Sequence, residues 1–203
     1  MRHQETVRNC RQCLLEGFQV SPPPVVSGRP ECQVMIIGQA PALASMESGR
    51  NFSGRAGRIL FSWFERFGLT EDQVRASVYI TALTRCYPGR NPRGGDRKPS
   101  PRELALCRPF LLTELDLLAP HVVLPVGQMA IEHFLGKAPL GTRVGGVFEK
   151  AGVSFIPLPH PSGASRWLND AVNKRLLDEA LECVRELALP LIRTTLALYD
   201  ELD

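Results

Sequence analysis

The residues able to do chemistry in this chain fall in short clusters. Cys10 and Cys13 form a Cys-x2-Cys pair close to the first residue. Six cysteines in 203 residues are too few and too scattered for a secreted disulfide framework, so in a reducing compartment this pair reads as a metal or redox site. Two glycine-bearing turns follow, Gly38-Gln-Ala-Pro-Ala42 and Gly49-Arg-Asn-Phe-Ser-Gly-Arg-Ala-Gly57. Neither has the Gly-Lys-Ser/Thr of a phosphate-binding loop or the dinucleotide spacing, and no nucleotide cofactor is expected. Gly54 and Gly57 lead into a helical pattern, where a phosphate or base could approach free backbone N–H groups, though ordinary turns also use such glycines. Last comes His160-Pro-Ser162. A histidine between prolines is either a hydrogen-bonded turn residue or, at a strand end, a group facing a ligand.

Charge adds a second layer. Lys and Arg total 24 against 21 Asp and Glu, a net charge of only +3, but twenty of the basic residues are arginine. From Arg85 to Arg108 seven basic residues face only Asp96 and Glu103, whereas from Asp178 to Asp203 seven carboxylates face Arg185 and Arg193. The body is basic and the tail acidic. Guanidinium forks match phosphate oxygens, which makes nucleic acid a candidate partner; a solvated loop that aids solubility is the other reading.

These groups need a scaffold. Apolar runs at 32–37, 78–83, 121–126 and 153–158 have the length and composition of buried strands. Helical periodicity covers 57–67, 101–118, 128–135, about 167–188 and 190–202. Ser100 with Glu103 fits a capping box, and Pro101 suits the first turn. Strands alternating with helices predict an α/β fold: a three-layer αβα sandwich around a four-stranded, mostly parallel sheet, preceded by an N-terminal cysteine-containing segment. Residues 1–203 are expected to form one domain, with 189–203 an acidic C-terminal helix, and the protein to be a monomer. Residues 21–30, rich in proline, form a stiff connector between the Cys-x2-Cys and the main fold. Cys32 and Cys183 read as small core residues. No run approaches the roughly 18 to 20 apolar residues of a membrane span, and the first residues lack the apolar stretch of a secretory signal; a cytoplasmic location with no membrane partner is expected. Ligands of such a sheet bind at the carboxyl ends of the strands, which selects Gly38 to Pro41, Thr84 to Cys86, Gly127 and His160 to Ser162.

Here the residues resemble a family. Gly38-Gln-Ala-Pro, then Gly49-Arg-x-Phe52-x-Gly54-Arg-Ala-Gly57, is similar to the first motif of the iron-sulfur uracil-DNA glycosylases of family four, which reads Gly-Glu-Ala-Pro-Gly and Gly-Arg-Pro-Phe-x-Gly-Arg-Ala-Gly. Tyr79-Ile-Thr-Ala-x-x-Arg-Cys86 resembles the broader-specificity family five, which has Ala where family four has Asn. Pro159-His160-Pro161-Ser162 resembles the His-Pro-Ser of the superfamily, and the likeness runs from Cys10 to about Leu177.

The resemblance implies a DNA repair glycosylase that flips uracil or another deaminated base out of DNA and hydrolyses its N-glycosidic bond. It makes Cys10, Cys13, Cys86 and Cys107 the ligands of a 4Fe-4S cluster, although four thiolates suit zinc as well. It makes His160 the catalytic group at the base oxygen, with Gln39 beside it, Phe52 the ring stacked on the base, and Gly38, Ala40, Ala82 and Ser162 further substrate contacts. Arg90, Arg93, Arg97, Ser162 and Arg166 are expected to hold DNA; Trp167 either fills the gap in the stack or packs at a helix start. Two departures stand out. Gln39 replaces the family-four Glu, and Arg55 stands where family five has Asp; Glu47 is the only acid nearby in sequence. An amide cannot act as a general base, which leaves open a DNA-binding iron-sulfur protein with little or no glycosylase activity. Ala82 replaces the Asn that reads the uracil edge, so specificity is expected to be broad.

Overall fold

The computed structural model describes residues 2–92, 94–161 and 166–200, the side chains of 166 and 200 excepted. In chain order its elements are α1 (Arg2–Arg8), α2 (Gln12–Leu15), β1 (Val34–Gly38), α3 (Leu43–Ser48), α4 (Arg55–Glu65), α5 (Glu71–Ser77), β2 (Val78–Ala82), α6 (Pro101–Leu118), β3 (Val122–Pro125), α7 (Gln128–Leu135), β4 (Phe148–Lys150), β5 (Val153–Phe155), α8 (Ala171–Cys183) and α9 (Leu189–Asp200).

The sheet runs β2-β1-β3-β5-β4, parallel except for the antiparallel pair β4 and β5. Its four parallel strands lie where the apolar runs predict them. The fifth strand corrects the expected four. β4 is a three-residue edge strand, half-exposed and too short to show alternation, and it reaches β5 through Ala151 and Gly152, both at positive φ (49° and 79°). That is a two-residue mirror-image turn, but Ala-Gly lacks the Asn-Gly or Asp-Gly signature.

β1 is buried along its whole length and paired on both sides. Successive side chains point to opposite faces, and the two faces pack separately. Val34 and Ile36 meet Leu60, Phe64, Val74, Leu181 and Ile192 on one side; Met35 and Ile37 meet Leu111, Ile131 and Leu135 on the other. Helices α4, α5, α8 and α9 therefore cover one face, α6 and α7 the other, giving three layers. The crossover from β1 to β2 runs on one face and that from β2 to β3 on the other, so the order reverses between β1 and β3. Such a switch point opens a crevice at the strands' carboxyl ends.

Helix α6 carries the predicted capping box, with Ser100 accepting from the Glu103 N–H and Glu103 from the Ser100 N–H. The expected last two helices are instead nearly one. A π-helical stretch, Val184–Ala188, joins α8 to α9 and leads to Pro190. Proline lacks an N–H and crowds the carbonyl four residues back, and the wider π turn absorbs both demands without ending the helix. The short α1, α2, α3 and α5 were not foreseen, for none is long enough to show a helical period.

The proline-rich connector is held against the fold. Ser21 N–H donates to the Tyr87 carbonyl at 3.0 Å, Val25 N–H to that of Arg85 at 2.8 Å, and Ser27 Oγ to that of Ile80 at 2.6 Å. The polar centre on that side is Arg85, itself 2% exposed. Its guanidinium donates to the Ala82 carbonyl and, at 2.6 Å, to the equally buried Glu114 of α6, which also accepts from Thr81 at 3.1 Å. Burying such a pair gives little net stability, but breaking it strands a charge. Arg85→Met is expected to destabilise the protein by about 3–5 kcal/mol, and Arg85→Met with Glu114→Leu by much less; urea unfolding of the two variants checks this.

Candidate active site

The cleft at the switch point has a volume of about 460 Å³ and is lined by Gln39, Ala40, Pro41 and Ala42 after β1, by Phe52, Gly54, Arg55 and Ala56, by Pro88, Asp96, Arg97 and Lys98, and by His160. Residues from three distant stretches, 39–56, 88–98 and 160, thus meet at one end of the sheet. The strand ladders continue past the strands themselves to fix them. Val126 N–H donates to the Ile37 carbonyl, Gly127 N–H to Leu158, Leu83 N–H to Gly38 and Thr84 N–H to Gln39.

Phe52 is the most constrained of these residues. Its φ is +56°, a left-handed conformation that a bulky residue avoids and that costs about 1–3 kcal/mol. The surroundings impose it. Arg75 donates to the carbonyls of Asn51 (2.9 Å) and Phe52 (3.2 Å), and the buried Asn51 amide donates to the Ile80 carbonyl at 3.1 Å. The ring then lies on Gly38, where any Cβ would come within 2.9 Å of it, and the Phe52 carbonyl fills the space of a side chain at Gly57. Gly57 is therefore a packing glycine and not an approach point for a phosphate. Gly54 differs, for a Cβ there would meet only the Ala44 side chain, at an ordinary contact distance of 3.5 Å. It stands at the start of α4 without a side-chain cap, leaving N–H groups of the first turn for an anionic or carbonyl ligand.

His160 is exposed to the cleft on one side, and on the other its Cβ and ring pack against Gly127, where a Cβ would meet them at 3.3 Å. Burial pushes the imidazole below its ordinary 6.5, while the negative charge of Asp96 acts in the opposite sense. A neutral ring at neutral pH can still donate one N–H.

The arginine-rich segment is less free than its composition implied. Arg85 is buried on Glu114, and Arg102 pairs with Glu16. Arg97 forks onto Glu103 at 2.7 and 2.8 Å and donates to the Pro88 carbonyl at 2.8 Å. This fork holds the Glu103 carboxyl down to about 2. Arg90, Lys98 and the cleft's Arg55 are exposed. Arg93, Ser162 and the side chain of Arg166 lie outside the described residues. Ala82 pairs in register with Gly38 and is buried at the end of β2, not in the cleft wall. Trp167 packs on the core at a helical turn, which favours its packing role.

Cys10, Cys13, Cys86 and Cys107 come together, with Leu14, Val20, Pro22, Pro24, Arg85 and Phe110, around one small pocket. Burial, and then the neighbouring Cys107, push the thiols of Cys13 and Cys86 up to about 12. Among the described residues no group of three or more His, Cys, Asp or Glu is arranged to hold a metal ion. Also among the described residues, no helix is long and apolar enough to cross a membrane.

Sequence reasoning missed Asn51, Arg75, Glu114 and Asp96. The first three are buried or half-buried polar residues in helical or turn contexts that carry no motif; Asp96 was read only as a charge offset within a basic loop. Glu47, the acid singled out from the sequence, is not in the cleft wall.

Residues 25–185 match the family described as the uracil DNA glycosylase superfamily, and the chain belongs to it. It is 28% identical to a type-4 uracil-DNA glycosylase of Sulfurisphaera tokodaii, over 95% of this chain and 86% of that protein. It is 29% identical to a type-4 enzyme of Thermotoga maritima, over 86% of this chain and 88% of that one. A type-5 uracil-DNA glycosylase of Pyrobaculum aerophilum is 30% identical over 64% of this chain and 61% of its own length. Both branches are thus among its relatives, in keeping with the mixed motifs.

Arg75→Met removes the donor that fixes two inward carbonyls and is expected to cost about 1–3 kcal/mol of stability. It should also speed amide hydrogen exchange at residues 51–54, which locates the loss at the Phe52 turn.

Proposed function

We propose that this protein removes uracil, and at least one other deaminated base, from DNA by hydrolysing the N-glycosidic bond. The observation that carries this is the joint arrangement of Phe52 and His160, each seated on a glycine at a strand end and both facing one cleft. Extruding a base costs a few kcal/mol, least where it is damaged or mispaired. Stacking on the fixed Phe52 ring offsets part of that cost. Breaking the bond leaves negative charge on the departing base. A neutral His160 donating to a base oxygen, with the uncapped first turn of α4 beside it, would stabilise that charge as an oxyanion hole does, because the donors are already in place. Gln39 can hold a water through its amide but cannot take its proton. Arg55, Arg90 and Lys98 would meet phosphates, with Arg97 acting chiefly to anchor their loop. Ala82, which stands where the resemblance puts the uracil-reading Asn, is buried behind the cleft wall and brings no amide to it, which supports tolerance of other bases.

The four cysteines fit a 4Fe-4S cluster: all are thiols and they line one mainly apolar pocket. When bound, such a cluster would tie the N-terminal segment, β2's exit and α6 together and so brace the 87–100 loop.

Two measurements test these readings. His160→Ala is expected to lower the single-turnover rate of uracil release by about 10²–10³-fold while DNA affinity changes little. An unchanged rate would make the histidine structural, and no release of uracil, hypoxanthine or xanthine by the wild type would favour a protein that only binds DNA. Separately, anaerobically purified protein is expected to be brown with about four iron and four sulfide per chain, and Cys86→Ser to lose both colour and stability; stoichiometric zinc without visible absorption is the opposing result.

A further inference from the structure

The cleft lacks the acid at both motif positions that its relatives' motifs supply, for 39 is Gln and 55 is Arg. Yet it is not without a carboxylate. Asp96 is the one Asp or Glu among the described residues lining it, and it comes from the loop between β2 and α6 rather than from the first motif.

Its placement is built. The Tyr87 hydroxyl, on a side chain only 5% exposed, donates to Asp96 Oδ1 at 2.9 Å. The backbone of Asp96 bridges that of Arg90 in antiparallel fashion, and the turn between them is closed by Asn91 N–H to the Gly95 carbonyl at 2.9 Å. On the other side Arg97 N–H donates to the Gly89 carbonyl at 2.8 Å, and the Arg97 fork is fixed on the buried Glu103. Residue 96 is thus clamped before and behind; Tyr87 engages one carboxylate oxygen, and among the described residues the other has no hydrogen-bond partner, so it can accept from a water.

We infer that Asp96 is a catalytic residue of the glycosylase reaction, supplying from a different loop the carboxylate that the first motif has lost. The inference rests on the function proposed above. Charge dictates the side on which it works. A carboxylate beside the departing base would repel the charge growing there, a place already served by His160 and the start of α4. At C1′ the sugar becomes cationic, and there a carboxylate stabilises. In the step itself the C1′–N bond breaks with both electrons leaving on the base. A water held by Gln39 forms the new bond from its oxygen to C1′, and the proton it loses passes to Asp96. The base anion is later protonated by solvent. Arg55, Arg97, Lys98 and His160 share the cleft walls with Asp96, Tyr87 bonds it from behind, and the exposed Arg90 lies opposite it across a backbone bridge.

The test compares wild type, Asp96→Asn, Asp96→Glu and Tyr87→Phe in two assays. The first is single-turnover release of uracil from a labelled oligonucleotide. The second is affinity for duplexes carrying either a neutral tetrahydrofuran abasic residue or a cationic pyrrolidine in its place, the latter imitating the sugar cation. Asp96→Asn is expected to slow release by about 10²-fold or more, Asp96→Glu to recover part of the rate, and Tyr87→Phe to lose less than Asn. Asp96→Asn should weaken binding of the pyrrolidine duplex by about tenfold or more and leave the tetrahydrofuran duplex unchanged. An unaltered rate in Asp96→Asn overturns the inference and leaves the glycosylase reading intact. Equal weakening for both duplexes also overturns it, by making Asp96 a structural residue of the loop. Failure of the wild type to release any base is a different result, which removes the glycosylase reading and the role of Asp96 with it.

Discussion

Everything at the working end of this protein depends on where strand β1 stops. β1 is hydrogen-bonded on both sides and buried on both faces, so its last residue is fixed by the two neighbouring strands. That residue is glycine, and the Phe52 ring occupies the space a side chain would take. The same device recurs beyond β3, where Gly127, at φ +85°, receives His160. Rings seated on rigid backbone have little freedom to lose, so both side chains face the cleft in fixed geometry.

A second support comes from polar groups that never reach the cleft. Arg85 with Glu114, Arg97 with Glu103 and Arg75 with the carbonyls of residues 51 and 52 each hold a loop of the site from behind. Arg85 also lies against the pocket of the four cysteines and donates to the last carbonyl of β2, so the thiol pocket, the strand end and α6 meet at one guanidinium. Charge in this protein serves architecture as much as recognition. The seven basic residues between 85 and 108 look like one phosphate-binding stretch in the sequence; in the fold three of them, Arg85, Arg97 and Arg102, are tied to glutamates.

The loop from Tyr87 to Ser100 joins these themes. It is too irregular to show periodicity and too charged to look structured, yet its two ends are tied down, by the bond from Tyr87 to Asp96 and by the Ser100 cap of α6. A loop anchored in this way can deliver a side chain to a cleft about as reliably as a strand end does. In this cleft, where positions 39 and 55 hold Gln and Arg, that loop is the source of the one carboxylate among the described lining residues, Asp96.

The sequence by itself determined the alternation of strands and helices, the limits of α6 and α7, the capping box at Ser100, and the motif residues Gln39, Phe52 and His160 that meet in the cleft. These are legible because periodicity, caps and turn residues act over a few positions. Tertiary structure decided the rest. The edge strand β4 forms only because β5 is present to pair with it, and the π turn before Pro190 only because the helix on both sides is packed. Whether an arginine is buried, bonded or free depends on a glutamate distant in sequence or on another element, as Arg85 with Glu114 shows. The four cysteines reach one pocket because the connector at 21–27 folds back along β2 and its exit, and Asp96 reaches the cleft because Tyr87 and Arg97 hold its loop there. Those are contacts between separate segments, and the chemistry of one segment does not carry the position of the other.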